Sequence, residues 1–294
     1  MRGLGSTRHQ PGGLRFGYGT NGLVDLRLDD ILLLLAELGY DGVGLTLDHM
    51  HLDPLAPPGE LAARVRHIAR RLDETGLSVV VETGARYVLD ARRKHRPTLL
   101  DPDHDARAAR TGLLHTAVRI AGDIGARVVH CFSGPAPHDT SEERAWERLA
   151  ESIRPVLARA QAADVALAVE PEPGHLLEDL SGFHRLHKLL GEPEGLGLTL
   201  DIGHCQCLEP SPPEECVRQA APWLRHVQIE DMRRGVHEHL PIGEGEIDFP
   251  GVLAALREIA FGGLVSVELP RHSHAGPQYA ATSLDSLRAA LAPR

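Results

Sequence analysis

Lysine is almost absent from this chain of 294 residues: Lys94 and Lys188 are the only two, and the formal net charge is −10. A nucleic-acid backbone favours a basic stripe, so this balance argues against nucleic acid as the main partner. Long apolar runs are missing too. None reaches the roughly 18 residues of a membrane-crossing helix, so no membrane partner is expected. Met1–Gly13 is rich in Gly, Arg and Pro and lacks the apolar core of a signal peptide; it reads as a disordered tail. Cysteine is scarce. Cys131, Cys205, Cys207 and Cys216, in so long a chain, suit a reducing compartment such as the cytoplasm. Cys205 and Cys207 form a C-x-C with no second pair at zinc-ribbon spacing and read as structural. No G-x-G-x-x-G follows the first apolar run, which argues against an open dinucleotide-binding sheet.

What is present is a rhythm. Short apolar runs start at Leu14, Asp41, Leu77, Ala126, Val165, Gly195, Leu224 and Leu264, and between them lie amphipathic stretches such as Leu61–Thr75 and Ser141–Ala163. Leu61, Val65, Ile68 and Leu72 fall at helical spacing. Gly39 and Gly125 stand where helices should stop, and Ser141 with Glu142 and Glu143 makes a helix start. Eight strand–helix units without a break in composition predict one α/β domain over residues 14–294, a single (β/α)8 TIM barrel with its chemistry at the carboxyl ends of the strands. The 42% hydrophobic content is enough for so large a core, and the composition allows a homo-oligomer.

The strand ends carry the chemistry. Gly195–His204 reads GLGLTLDIGH, a buried strand closed by Asp201. Alone, Asp201 is as well explained as the N-cap of the next helix. Yet VALAVE ends in Glu170 and LVSVE ends in Glu268. On the seventh run, HVQIED, the two-residue repeat puts His226, Gln228 and Glu230 on one face, with Gln228 at about the depth of those carboxylates. Carboxylates crowded in one barrel mouth repel unless a cation compensates them. The economical reading is a divalent ion held by Glu170, Asp201, Gln228 and Glu268. Separate salt bridges explain any one of these residues, but four in register poorly. Glu172, which alternates with Glu170, suits a substrate hydroxyl or a hydrogen bond to a ligand.

LAVEPEPG, GLTLDIGH, HVQIEDM with HLPIGEGEIDF, and LVSVELP resemble the successive strand ends of the xylose isomerase-like TIM barrels, most of all the sugar phosphate isomerase/epimerase group. The likeness runs over nearly the whole chain after the first dozen residues. It implies a divalent ion on Glu170, Asp201 and Glu268, with the fourth ligand at Gln228, where the family pattern H-x-H-x-x-D carries its second histidine. An oxygen donor there makes the set oxygen-only and favours Mn2+ or Mg2+ over Zn2+. The resemblance further implies that Glu170 and Glu268 are the catalytic acid and base on opposite sides of the substrate, and that His204 and Arg234 hold substrate oxygens.

The expected substrate is a small carbohydrate. Proton removal next to a carbonyl leaves an enediolate, which a divalent Lewis acid stabilises, and an acid and a base near neutral pKa complete an isomerisation or epimerisation. A lyase or dehydratase acting on a keto-cyclitol or keto-sugar shares the first step and is the alternative. A nuclease of the endonuclease IV type needs more zinc ligands and a cationic face. A non-catalytic metal-binding protein is a further class. Among the 18 histidines, His49 and His51 end the second unit and His130 the fourth. His49 and His130 are read as substrate-side hydrogen-bonding groups facing the mouth. His237 and His239 are placed ahead of the GEGE loop and given no role.

Overall fold

A computed structural model describes residues 13–84 and 86–292, so the expected tail lies almost wholly outside the described residues. The first run forms β1 (Arg15–Gly19), and α1 (Leu28–Leu38) follows it. Next come β2 (Gly42–Thr46), α2 (Pro58–Thr75), β3 (Ser78–Glu82), α3 (His104–Ile124), β4 (Val128–Phe132) and α4 (Glu142–Ala162). The second half holds β5 (Ala166–Glu170), α5 (Leu180–Leu189), β6 (Leu196–Asp201), α6 (Ile202–Leu208), α7 (Pro213–Ala220) and β7 (Leu224–Ile229). Then follow β8 (Asp231–Arg233), β9 (Val236–Leu240), α8 (Phe249–Glu258), β10 (Leu264–Val267) and α9 (Gly276–Ala290).

Eight of these strands close a parallel barrel in the order β1, β10, β7, β6, β5, β4, β3, β2. The expected single (β/α)8 barrel is the observed fold. Parallel strands covered on both faces must be apolar throughout, and β2, β4 and β6 are buried along their whole length. The helices pack their apolar stripes on this wall: Leu61, Val65, Ile68 and Leu72 are the buried residues of α2. Gly39 and Gly125 end α1 and α3 with φ of 89° and 76°, values that glycine adopts without a Cβ clash. Ser141 caps α4, its hydroxyl accepting from the Arg144 amide at 3.3 Å.

One element differs from expectation. Residues 231–240 form an antiparallel hairpin, with Asp231 opposite Leu240 and Arg233 opposite Val236, where the sequence suggested strand tail and loop. Its residues are too few and too polar to show a strand signal. What holds it is Asp231: Oδ1 accepts from the amides of Met232 (2.9 Å) and Ile247 (3.2 Å), and Oδ2 from Gly243 (2.9 Å). Thus the aspartate closing HVQIED ties the hairpin to the GEGE loop over the barrel mouth.

Candidate active site

Parallel register sets the depth of each side chain. Asp201 pairs with Gln228, Gln228 with Ser266, and Phe132 with Glu170, while the Glu268 amide donates to the Ile229 carbonyl at 3.2 Å. Glu170, Asp201, Gln228 and Glu230 are buried, and Glu268, one residue beyond β10, is half-buried. Asp201 serves both readings at once. Oδ1 caps α6 by accepting from the His204 amide at 2.8 Å, and Oδ2 is buried without a hydrogen-bond partner. Gln228 Oε1 and both Glu230 carboxylate oxygens are likewise buried and unpartnered. One ligand atom each from Asp201, Glu230, His239 and Glu268 lies within 4.8 Å of the others. Buried oxygens left unpaired are costly, and a convergent set of them fits a hard divalent cation.

The carboxylates differ in their partners. Glu170 Oε2 is 2.5 Å from His130 Nε2. The Thr83 amide donates to His130 Nδ1 at 3.4 Å, so the proton sits on Nε2 and points at Glu170. Glu268 Oε1 accepts from Asn21 Nδ2 at 2.7 Å. Glu82, at the end of β3, accepts from Thr46 Oγ1 at 3.2 Å. Burial, with the Asp201 and Glu82 carboxylates adding to it, pushes Glu170 well above the usual range. Burial does the same to Glu230, with Asp201 next, and to Glu268, with Glu170 next. Glu172 rises to about 7 through burial, which the nearby His204 partly offsets. Burial also pushes Asp201 upward, but His204 and His239 outweigh it and hold this carboxyl below its usual value. The barrel therefore concentrates like charges that repel one another, as crowding of the strand ends implies.

The histidines sort by depth. His226 is fully buried, 2.9 Å from Ser266 Oγ, and burial lowers it to about 3. Its Nε2 faces Ser266 and lies 4.0 Å from Glu82 Oε1. His204 donates from Nδ1 to the Pro171 carbonyl at 3.0 Å, and its Nε2 meets His237 Nε2 at 3.1 Å. Glu172 Oε2 lies 3.9 Å from His204 Nε2. The expected site residues Glu170, Glu172, Asp201, His130, His204, Gln228 and Glu268 are thus neighbours in one mouth. Arg234 and His49 are engaged elsewhere. Arg234 is exposed on the hairpin and donates to the Gln206 carbonyl at 3.0 Å, and His49 is exposed and 3.1 Å from Asp53. Sequence reasoning assigned nothing to Glu230, Glu82, Asn21, His237 or His239. For the last two, the H-x-H spacing in VHEHL was the available signal, since residues two apart share a strand face. All four cysteines are free and buried, as the structural reading of the C-x-C requires.

A closed barrel with a buried acidic mouth at its carboxyl end defines the class. Residues 32–290 match the family model described as xylose isomerase-like TIM barrel, and the chain belongs to that family. Its relatives are named sugar epimerases. It is 25% identical over 241 residues to L-ribulose-5-phosphate 3-epimerase of Salmonella paratyphi C, covering 81% of this chain and 80% of that protein. It is 23% identical over 253 residues to a putative L-ribulose-5-phosphate 3-epimerase of Escherichia coli K12, covering 83% of this chain and 84% of that protein. Among solved structures, a D-tagatose 3-epimerase-like protein superposes with a TM-score of 0.75 at 20% identity, covering 95% of this chain and all of that one.

Proposed function

We propose that this chain is a divalent-metal-dependent epimerase or isomerase of a keto-sugar or related polyol. The observation that carries the reading is the convergence of Asp201, Gln228 and Glu230 oxygens, buried and unpartnered, beside Glu170 and Glu268 at the barrel mouth. The named activities of the relatives agree with it.

Glu170, Asp201, Gln228 and Glu268 would hold the ion. The strands then offer oxygen donors alone, a set that favours Mn2+ or Mg2+ over Zn2+. When bound, the ion supplies Lewis-acid stabilisation of the negative charge that develops on the substrate oxygens. The rest falls to protein groups. Glu170 and Glu268 stand on β5 and just past β10, strands separated in the barrel by β6 and β7. They can therefore reach a bound ketose carbon from two sides, one removing a proton and the other delivering one. His130 holds Glu170 from below, and Asn21 holds Glu268. His204, oriented by the Pro171 carbonyl, and Glu172, raised to about 7, would hold substrate hydroxyls. Among the described residues no helix is long and apolar enough to cross a membrane, and the −10 charge disfavours a nucleic-acid partner.

Incubating the Mn2+-loaded protein with a panel of keto-sugars and inososes, and separating the products, tests the reading. Epimers or aldose–ketose pairs of unchanged mass support it. Products lighter by one water place the chain with the dehydratases instead, and cleavage of an abasic-site oligonucleotide would place it with the nucleases.

A further inference from the structure

The imidazole that the family pattern expects at position 228 is missing from the strands, yet a histidine reaches the same mouth from the hairpin. We propose that His239, on β9, is a ligand of the ion held by Asp201 and Glu268, supplying the nitrogen donor that Gln228 lacks. This inference rests on the metal-dependent reading above and deepens it.

Three observations support the assignment. First, His239 contributes a ligand atom to the group with Asp201, Glu230 and Glu268, all within 4.8 Å of one another. Metal–ligand bonds of about 2.0–2.3 Å put opposite ligands roughly 4–4.6 Å apart, so such a group spans one coordination sphere. Second, His239 Nδ1 is buried and has no hydrogen-bond partner; Glu230 Oε1, at 3.5 Å, is itself unpartnered. The side chain is only 13% exposed. A buried imidazole nitrogen aimed at unpartnered carboxylate oxygens wants a cation between them. Third, the backbone holds it there. Asp231 pins the hairpin through three amides, and Arg233 Nη1 pairs with Glu238 Oε1 across it at 2.6 Å. His237, on the same face of β9, meets His204; His239 shares a group of ligand atoms with these two histidines, but it alone of the three also joins the group with Asp201, Glu230 and Glu268.

The chemistry separates this role from a packing one. Imidazole strengthens binding of Zn2+ and Co2+ more than of Mn2+ or Mg2+, which prefer oxygen. The test is equilibrium binding of Co2+, Zn2+ and Mn2+ to the full-length metal-stripped protein by calorimetry, with the visible spectrum of the Co2+ form. His239→Ala should weaken Co2+ and Zn2+ by about 100-fold, since even residues that only orient a ligand change affinity by about 10–100-fold. Mn2+ should weaken less, and the Co2+ spectrum should change. Free imidazole, or Gln228→His in the same chain, should restore the Co2+ affinity. His239→Ala binding all three ions as the parent does, with the same Co2+ spectrum, overturns the assignment. Loss that neither imidazole nor Gln228→His restores marks a structural role and also overturns it. A parent protein that binds none of these ions overturns the metal-dependent reading itself, which separates the two failures.

Discussion

Stripping the metal should lower thermal stability, and the loss should grow with pH. Glu170, Glu230 and Glu268 are raised by burial and by one another. A carboxyl whose folded pKa lies above its unfolded value contributes stability that is full below the unfolded value, about 4.5, and lost as pH rises through the folded one. The metal-free protein is therefore penalised toward neutral and alkaline pH, where these groups are charged and uncompensated. Ion binding needs them ionised and the imidazoles neutral, so it is weakest in acid. His130 and His226, lowered to about 4 and about 3 by burial, act the other way. Their contribution is present above the unfolded value of about 6.5 and lost as pH falls below it. The difference between loaded and stripped protein reports the carboxylates together with the histidines that touch them. Mn2+ at about 100 times its dissociation constant adds about 2.7 kcal/mol. At about 2–4 °C per kcal/mol for a domain approaching this size, that is a rise of roughly 5–10 °C. Differential scanning fluorimetry at a fixed total Mn2+ concentration should show that increment near pH 8 and a much smaller one at pH 5.5. An increment equal at both pH values, or larger in acid, would refute the carboxylate site.

Gly203→Ala should destabilise by about 1–3 kcal/mol and weaken Mn2+, because an added Cβ overlaps Glu230 Oε1 and comes within 2.7 Å of Met232 Cε. Gly112→Ala, with nothing within 4 Å of the new methyl in mid-α3, should instead stabilise by about 0.5–1 kcal/mol, and chemical denaturation of both variants checks the contrast. Asp231→Asn puts an amide among three backbone donors and should cost about 1.5–3 kcal/mol. Hydrogen exchange should then show faster opening of the 231–240 hairpin, and calorimetry a weaker Co2+ site.

The barrel was legible because each of its signals is local. Short apolar runs recur eight times along the chain, Gly39 and Gly125 stop α1 and α3, Ser141 starts α4, and β6 closes at Asp201 as GLTLD suggests. Glu170, Asp201 and Glu268 were legible for the same reason, each being the polar residue that stops an apolar run. Gln228 followed from the two-residue period of β7, which put Glu230 on the same face without giving it a role. The hairpin was not legible. Its short polar strands are held by Asp231 and by loop amides more than ten residues away, and no local pattern announces that contact. His237 and His239 were lost with it. Asn21 and Glu82 bond or face the cluster only because closure of the barrel sets β1 beside β10 and brings β3 round between β2 and β4. Arg234, which the family resemblance implies as a substrate contact, donates its guanidinium to the Gln206 carbonyl from the hairpin turn.

In the proposed reaction Glu170 and Glu268 each carry a proton to or from one substrate carbon. Glu170→Gln and Glu268→Gln remove the proton carrier but keep an oxygen that can ligate, so both variants should retain much of their Mn2+ affinity. Turnover should fall by about 10²–10⁴-fold. The decisive measurement is solvent deuterium incorporation, followed by NMR, into the ketose that the parent protein epimerises. One variant should exchange the α-proton without net product, from the face its remaining glutamate serves, and the other should exchange none. Near-parental turnover in both variants, with Mn2+ bound, would contradict these roles and leave these glutamates as ligands alone.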